Sequence, residues 1–413
     1  MAVSLEESKN NATDDVNVAV IDEFRKTGVI TDSLIFDDVV NPAGGGDTLT
    51  YGYRRLITQA TAATREINTE YADQNVETKR ESVDLAVMGG SFAVDRVTAK
   101  LGPAASANVA LNMGQKVKST NAKFADLVIN GDTALDAHGF DGLDKALYGS
   151  DTEHKVDAVT DWSDFDTNAR AEHKALDLID EFLALLDGTP TVIVGNSKSL
   201  ARVRAAARRA GMYTRNPIEG LVGQNGRPIE RESYGGIVFG DAGAKAGTND
   251  LIVPVVARGT VWAITAPSGA GKYTITVDGH ATDELDYNAN AAAIKTALEA
   301  LPNVGTDGVA VSGTKATFPR LVALSAQGVA AAEASAAVDG GAAGTGLTDL
   351  YAYRVGLDGF HGVSTIGGEL VQTWLPDFTK SGAVKRGEVE LGPVAVALKA
   401  TKAAAVLRNL KVQ

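Results

Sequence analysis

Asp349-Leu-Tyr-Ala-Tyr-Arg-Val-Gly-Leu-Asp-Gly-Phe-His-Gly-Val363 is the stretch that decides the reading; it continues through Val371-Gln-Thr-Trp-Leu-Pro376 and leads to a strand-rich run from Val389 to Val412. β-Branched and aromatic residues alternate with glycine turns, and no nucleophile stands beside a base. A segment of this composition is suited to packing and display. It points to a chain whose work is its own assembly.

Working outward, the whole chain has 413 residues, enough for about two to three domains and a sizeable core. Its net charge of -13 argues against avid nucleic-acid binding through the average surface, and so against a polymerase, repressor or histone-like role. The absence of cysteine removes thiol catalysis, Cys-ligated zinc and disulfides together. The stretch Met1-Ala-Val-Ser-Leu-Glu-Glu-Ser-Lys-Asn-Asn-Ala12 lacks the pattern of a secretory leader, and no run of about 18 apolar residues follows. An aqueous compartment and no membrane are expected.

Val18-Ala-Val-Ile-Asp-Glu-Phe-Arg-Lys26 predicts a short amphipathic helix, and Asn41-Pro-Ala-Gly-Gly-Gly-Asp47 a flexible joint. From Thr48 to Val87 alternation at Leu49, Tyr51 and Tyr53, and again at Val83, Leu85 and Val87, predicts two strands around a polar centre. Within one globule that centre has nowhere to be buried. Pro103 opens a helix to about Ile129, with Val109, Met113, Val117, Phe124 and Val128 on one stripe and a left-handed cap expected at Asn130-Gly131. Gly139-Phe-Asp-Gly-Leu143 follows as a turn-rich loop.

A second amphipathic helix carries Leu176, Ile179, Leu183 and Leu186. The strand Thr191-Val-Ile-Val-Gly195, the cap Asn196, a helix through Leu200 and Val203, and strands at Gly236–Gly240 and Leu251–Ala257 predict an α/β unit. From Gly259 to Gly346 several short strands surround a helix ended by Pro302, which reads as a small α+β insertion leaving through a flexible linker, Val338–Gly346.

Chemical motifs fail on inspection. Ser268-Gly-Ala-Gly-Lys-Tyr273 resembles a phosphate loop, but Ala266 replaces its first glycine and Tyr273 the magnesium-reaching hydroxyl, so a hairpin turn is expected. His138, His154, His173, His280 and His361 have no partner at metal-ligand spacing. Asp132, Asp136 and Asp141 suggest a calcium loop, yet Ala137 stands where glycine is required, which leaves loop capping. Arg202, Arg204, Arg208 and Arg209, followed by Arg215, read either as a solvated basic face or as contacts to acidic surfaces of neighbouring copies. No Gly-x-Ser-x-Gly elbow occurs, and no catalytic, cofactor or metal residues are expected.

Together, the polar two-stranded loop, the long helix ending in Ile129-Asn-Gly-Asp132 with Gly139-Phe-Asp-Gly-Leu143 behind it, the α/β unit and the strand-rich C-terminal return resemble the major capsid protein of tailed double-stranded DNA bacteriophages, the Hong Kong 97-like fold. Tyr351–Gly362 and Gly387-Glu-Val-Glu-Leu-Gly-Pro-Val394 with the run to Val406 look most like the capsid proteins of actinobacterial phages. The resemblance covers most of residues 15–258 and 348–412.

It implies an α+β chain divided into an N-terminal arm (1–47), an extended two-stranded loop (48–87), a peripheral domain with a spine helix (88–186), an axial domain (187–258), an inserted accessory module (259–346) and a return to the axial and peripheral domains (347–413). Val384–Val412 is expected in the peripheral sheet, with Val406, Leu410 and Val412 on one face. The loop would reach over a neighbouring subunit, and contacts between copies are expected at Tyr51, Arg54, Lys79 and Arg80 as well as at the five arginines. Copies would form pentamers, hexamers and an icosahedral shell around double-stranded DNA, without sequence-specific contacts. The virion, assembled in the host bacterial cytoplasm, is the implied location.

Departures from the family pattern matter too. The chain has no room for a fused scaffolding region, so scaffolding is expected to be either separate or absent, with portal and decoration proteins as further candidate partners. The 259–346 module lies outside the minimal fold and is expected on the outer surface. Some members cross-link Lys to Asn, and Lys79 is the only lysine between Asp47 and Lys100, but the sequence singles out no Asn partner. An encapsulin-type compartment with protein cargo and a tail or adhesin protein are the alternative readings.

Overall fold

Short strands punctuated by glycine turns give a strand-dominated α+β chain organised around two sheets. A computed structural model describes residues 28–40, 48–96, 102–166, 170–211, 215–222, 228–234, 236–248, 250–330, 332–365 and 370–413; for residues 39, 102–108, 110–111, 215–222 and 228–234 it describes the backbone alone. The helix expected at residues 18–26 and the joint at 41–47 lie outside the described residues.

The smaller sheet has five strands and is built on Val384–Leu398, which pairs along one edge with Ala86–Asp95 and along the other with Phe360–Thr365 and Val371–Trp374. Phe36–Val40 joins it in parallel to Phe360–Thr365. Packed on this sheet is a helix, Gly102–Asn130, whose 29 residues contain no proline beyond the first turn and span about 44 Å at 1.5 Å per residue. The expected stripe faces the sheet: Phe124 and Val128 are buried, Val109, Met113 and Val117 partly so. Phe124 sits between the rings of Phe36 and Phe140, at centroid distances of 5.9 and 6.0 Å.

The helix end differs from the expected left-handed cap. Gly131 is absent from the left-handed residues, and its amide simply continues the helical pattern to the Leu127 carbonyl. Glycine is needed there for approach: a Cβ on Gly131 would stand 2.3 Å from the Phe140 oxygen, and one on Gly142 2.5 Å from the Leu127 oxygen. The two glycine motifs are halves of one contact.

The larger sheet has twelve strands. Its centre is Ala343–Tyr353, flanked by Val192–Gly195, by Val256–Thr265 and by Ala404–Lys411. Val192–Gly195 and Ile237–Asp241 run parallel, joined through the helix Ser197–Arg209, so the α/β unit forms. Its cap is a full box: the Asn196 side chain accepts from the Lys198 and Ser199 amides, and Ser199 Oγ accepts from the Asn196 amide. The helix Ala171–Leu183 packs with Ser197–Arg209 over this sheet, around Phe182, Ile193 and Leu407.

Three strand expectations change. Leu251–Ala257 contributes only a bridge from Leu251 to Ala244, and the strand begins at Val256. The linker expected at Val338–Gly346 is largely strand, because Gly344 and Ala343 pair with Arg258 and Gly259. The C-terminal strands, expected together in one sheet, part company: Val384–Leu398 lies in the smaller sheet and Ala404–Lys411 in the larger one. Register explains why its faces were misread. Leu410 pairs with Thr348 and Leu407 with Leu350, so three steps on one strand oppose two on the other, and Asn409 takes φ +59°. This bulge inverts the side-chain alternation. Leu407, Leu410 and Val412 share one core, and Val406 faces the other.

The insertion has its own core, built of Trp262, Tyr273, Ile275, Leu298, Phe318 and their neighbours. Gly269 and Gly271, at φ +85° and +118°, turn the chain there, but the segment is not the expected hairpin turn, because Val256–Thr265 and Lys272–Val277 lie in different sheets.

Candidate functional site

No described side chains assemble a nucleophile and base, and the chain's distinctive surfaces are those left without a core. The first is the hairpin Thr50–Leu56 with Thr78–Asp84, paired from Thr50↔Asp84 to Leu56↔Thr78. Its root is anchored on the smaller sheet. Tyr53 donates to the Leu398 carbonyl at 3.0 Å, and Arg55 to the Lys399 and Leu398 carbonyls at 3.0 and 2.7 Å. Tyr51 is buried in its own subunit and donates to Asp37 at 3.0 Å; burial and then Asp37 push its hydroxyl up to about 12. It therefore supports the root and does not offer an exposed contact.

Beyond Leu56 the loop leaves the rest of the chain. The Ile57 amide donates to the Glu77 carbonyl at 2.8 Å, and further out side chains join the two arms: the Glu77 amide donates to Thr58 Oγ1, and Thr61 N–H and Oγ1 donate to the Gln74 side chain. Every residue from 56 to 80 is exposed, including Leu56, Ile57, Ile67, Tyr71 and Val76, with Ile67 at 88%. Lys79 pairs with Glu81 at 2.8 Å on the exposed ladder. Arg54 and Arg80 are exposed and directly opposite each other, a like-charge pairing that is unfavourable in isolation. That pair invites an acidic partner.

The arginine helix behaves differently. Arg202 donates to the Val412 carbonyl at 3.0 Å, and Arg209 forms a bidentate pair with Asp166 and lies 5.8 Å from the Phe165 ring centre. Arg202 and Arg209 are thus engaged within the chain. Arg204 and Arg208 are exposed, Arg204 also carrying an interaction of its own, and the side chain of Arg215 lies outside the described residues. The two groups of expected contact residues stay on separate elements.

Three features escaped the sequence reading. Trp374, Leu375, Phe378 and Val384, on and between the strands Val371–Trp374 and Val384–Leu398, are exposed apolar residues; Trp374-Leu375 before Pro376 was a usable signal. His361 is wholly buried at the hairpin root, edge-on to Tyr51, and neither ring nitrogen has a hydrogen-bond partner among the described residues. Burial, then Lys399, hold it below its ordinary value, while Asp37 pulls it upward.

The third is a buried charge cluster at the bulge. Arg258 grips Asp349 with two bonds of 2.7 and 2.8 Å, Arg408 reaches Asp349, Asp144 and Glu153, and Arg320 grips Glu153. Burial alone would raise the Asp349 carboxyl, but the two arginines and the Asn409 amide hold it well below the usual carboxylate range. Charged residues inside apolar strands, Asp349 beside Leu350 and Arg408 beside Leu407, were the available signal.

In the loop after the long helix, Lys145 supplies the cation: its Nζ lies 2.7 Å from Asp132 and 2.9 Å from Asp141, whose carboxylates also accept the Ala134 and Thr133 amides. These carboxylates cap a loop, as expected. Among the described residues no group of three or more His, Asp or Glu could hold a metal, and no helix is long and apolar enough to cross a membrane.

No protein-family model and no curated protein sequence matches the chain. In structure it is similar to the capsid of the Myoviridae phage XM1, at 10% identity and TM-score 0.48 over 98% of each chain. It is also similar to a protein of Mycobacterium phage Bobi, at 10% identity and TM-score 0.46 over 100% of this chain and 99% of that one. A third similar structure is the encapsulin complex of Synechococcus elongatus, at 11% identity and TM-score 0.47 over 100% and 98%.

Proposed function

We propose that this chain is a shell-forming structural protein, the major capsid protein of a tailed-phage head, whose copies group as pentamers and hexamers around double-stranded DNA. One observation carries the reading: a hairpin of some 35 residues is rooted on the smaller sheet by Tyr53 and Arg55, while residues 56–80 are exposed throughout. A lone two-stranded ribbon is marginal in water, so a chain that keeps one has burial for it elsewhere. Another copy supplies that burial. Repeated head-to-tail, such a contact closes rings and then shells, and many weak contacts act together.

Arg54 and Arg80 fit the same reading, because an acidic neighbouring surface would relieve their repulsion. The exposed set at Trp374, Leu375 and Phe378 is a second candidate contact between copies. We place the insertion on the outer surface, where it takes no volume from the genome. No catalytic role is assigned. Negative-stain imaging of the expressed chain tests the proposal: closed polyhedra or capsomer rings support it, and monodisperse monomers at high concentration overturn it. The contents of purified shells distinguish a genome container from a compartment for protein cargo.

A further inference from the structure

A groove of about 580 Å³ opens beside the long helix, and the described part of the chain begins in its wall. Its buried lining is small and apolar: Ala125 of the helix, then Ala242, Ala244 and Ile252 from the segment after the strand Ile237–Asp241, with Ala122 half-buried beside them. Three lysines, Lys116, Lys118 and Lys245, line it against one carboxylate, Asp32. Lys245 also lies 3.8 Å from Asp126. Gly28 is itself part of the wall: a Cβ there would stand 2.2 Å from the Ala242 oxygen, and the following amide, of Val29, donates to the Asp241 carbonyl at 3.0 Å. Whatever precedes Gly28 therefore starts from the groove.

A lining of this kind asks for an occupant that is apolar on one side and acidic beside it. A cavity of about 150 Å³ takes one benzene ring, so the volume here has room for roughly three apolar side chains. A nucleic-acid phosphate would meet the lysines and leave the alanines uncovered. The chain's own first residues match both halves of the lining. At the helical spacing expected of Val18–Lys26, Val20, Ile21 and Phe24 share one side, and Asp22 and Glu23 lie off it. Across residues 1–27, Glu6, Glu7, Asp14, Asp15, Asp22 and Glu23 outnumber Lys9, Arg25 and Lys26. Reach is no obstacle, because Phe24 precedes Gly28 by four positions, a span of at most about 14 Å. So short a tether sets an effective concentration on the order of millimolar, and modest affinity is then enough for docking.

We propose that this groove is the docking site for the chain's own N-terminal segment, with Val20, Ile21 and Phe24 seated over Ala122 and Ala125 and with Asp22 and Glu23 turned to the lysines. This goes beyond the shell reading and does not rest on it, since the contact lies within one copy. Imaging of particles and the test below can therefore fail separately.

The chain contains no cysteine, so an introduced pair reports the contact without background. Full-length protein carrying Ala122→Cys together with Phe24→Cys or with Ile21→Cys is oxidised mildly, run on a non-reducing gel and mapped by peptide mass spectrometry. At least one of the two pairs should link within the monomer band, while Ala122→Cys with Ala2→Cys, far from the docked stretch, stays reduced. No link from either pair overturns the proposal. So does a link found only in a dimer band, which would make a second copy the occupant, or one formed as readily from Ala2→Cys. Should the cysteine variants fail to fold, Phe24→Ser is read by hydrogen exchange on the full-length chain. Amides of residues 244–248 exchanging at least fivefold faster than in the unaltered chain support the docking, and equal rates overturn it.

Discussion

Two excursions leave the body of this chain, and they solve the same problem in opposite ways. The insertion surrounds Tyr273, Ile275 and Leu298 with its own strands and helix, whereas residues 56–80 of the hairpin bury none of their side chains. A segment that carries its own core is complete within one molecule. A segment without one is complete, on the proposed function, only against a second copy.

The sharpest way to break this contrast is to shorten the hairpin. Replacing residues 58–76 with a short glycine turn should leave the thermal transition of the isolated subunit within a few degrees and abolish higher assembly, read by sedimentation velocity; persistent assembly would remove the hairpin from the interface. In the insertion the weight falls the other way. Ile275→Ala should cost about 2–5 kcal/mol of local stability, seen as faster exchange across residues 272–277, because it empties a fully buried site. Ile67→Ala should leave subunit stability unchanged and lower only the tendency to associate, measured by the concentration at which particles form.

The hairpin root adds a pH dependence that the insertion's core lacks. Since His361 is held below 6.5 in the folded chain, the unfolded chain takes up the proton first as pH falls. Stability should be full above about pH 6.5 and decline below it. His361→Gln should flatten that slope in melting curves taken from pH 7 to pH 5, and an unaltered slope would exclude His361 as its source. The smallest effect is expected from Arg54→Glu, which turns a facing like-charge pair into an attractive one. It should stabilise the hairpin by about 0.2–1 kcal/mol while weakening association, and a gain in both would contradict an acidic partner.

Much of this arrangement was legible because periodicity reports burial. Alternation at Tyr51, Tyr53 and Val83 marked the hairpin, and four- and seven-residue spacing from Val109 to Val128 marked the long helix. What could not be read was decided by distant partners. The glycine-rich run at Val338–Gly346 becomes strand only because Arg258 and Gly259 lie beside it, and local composition carries no trace of that neighbour. The bulge at Asn409 shifts the parity of the last strand, so period-two counting assigned Val406 to the wrong face. Among the candidate contact residues, Tyr51, Arg202 and Arg209 found partners in their own subunit, since a sequence shows charge and aromaticity but not which copy of the chain will satisfy them.

The last two strands lie in different sheets, although only Lys399 to Ala403 separate them. Val384–Leu398 closes on residues emerging some 300 positions earlier, at Ala86–Asp95, and Ala404–Lys411 lies along Ala343–Tyr353. In the order of synthesis neither sheet can be finished until the final stretch has left the ribosome, and such long-range closure is slow. A prematurely ended chain therefore presents two unfilled sheet edges in place of a finished subunit.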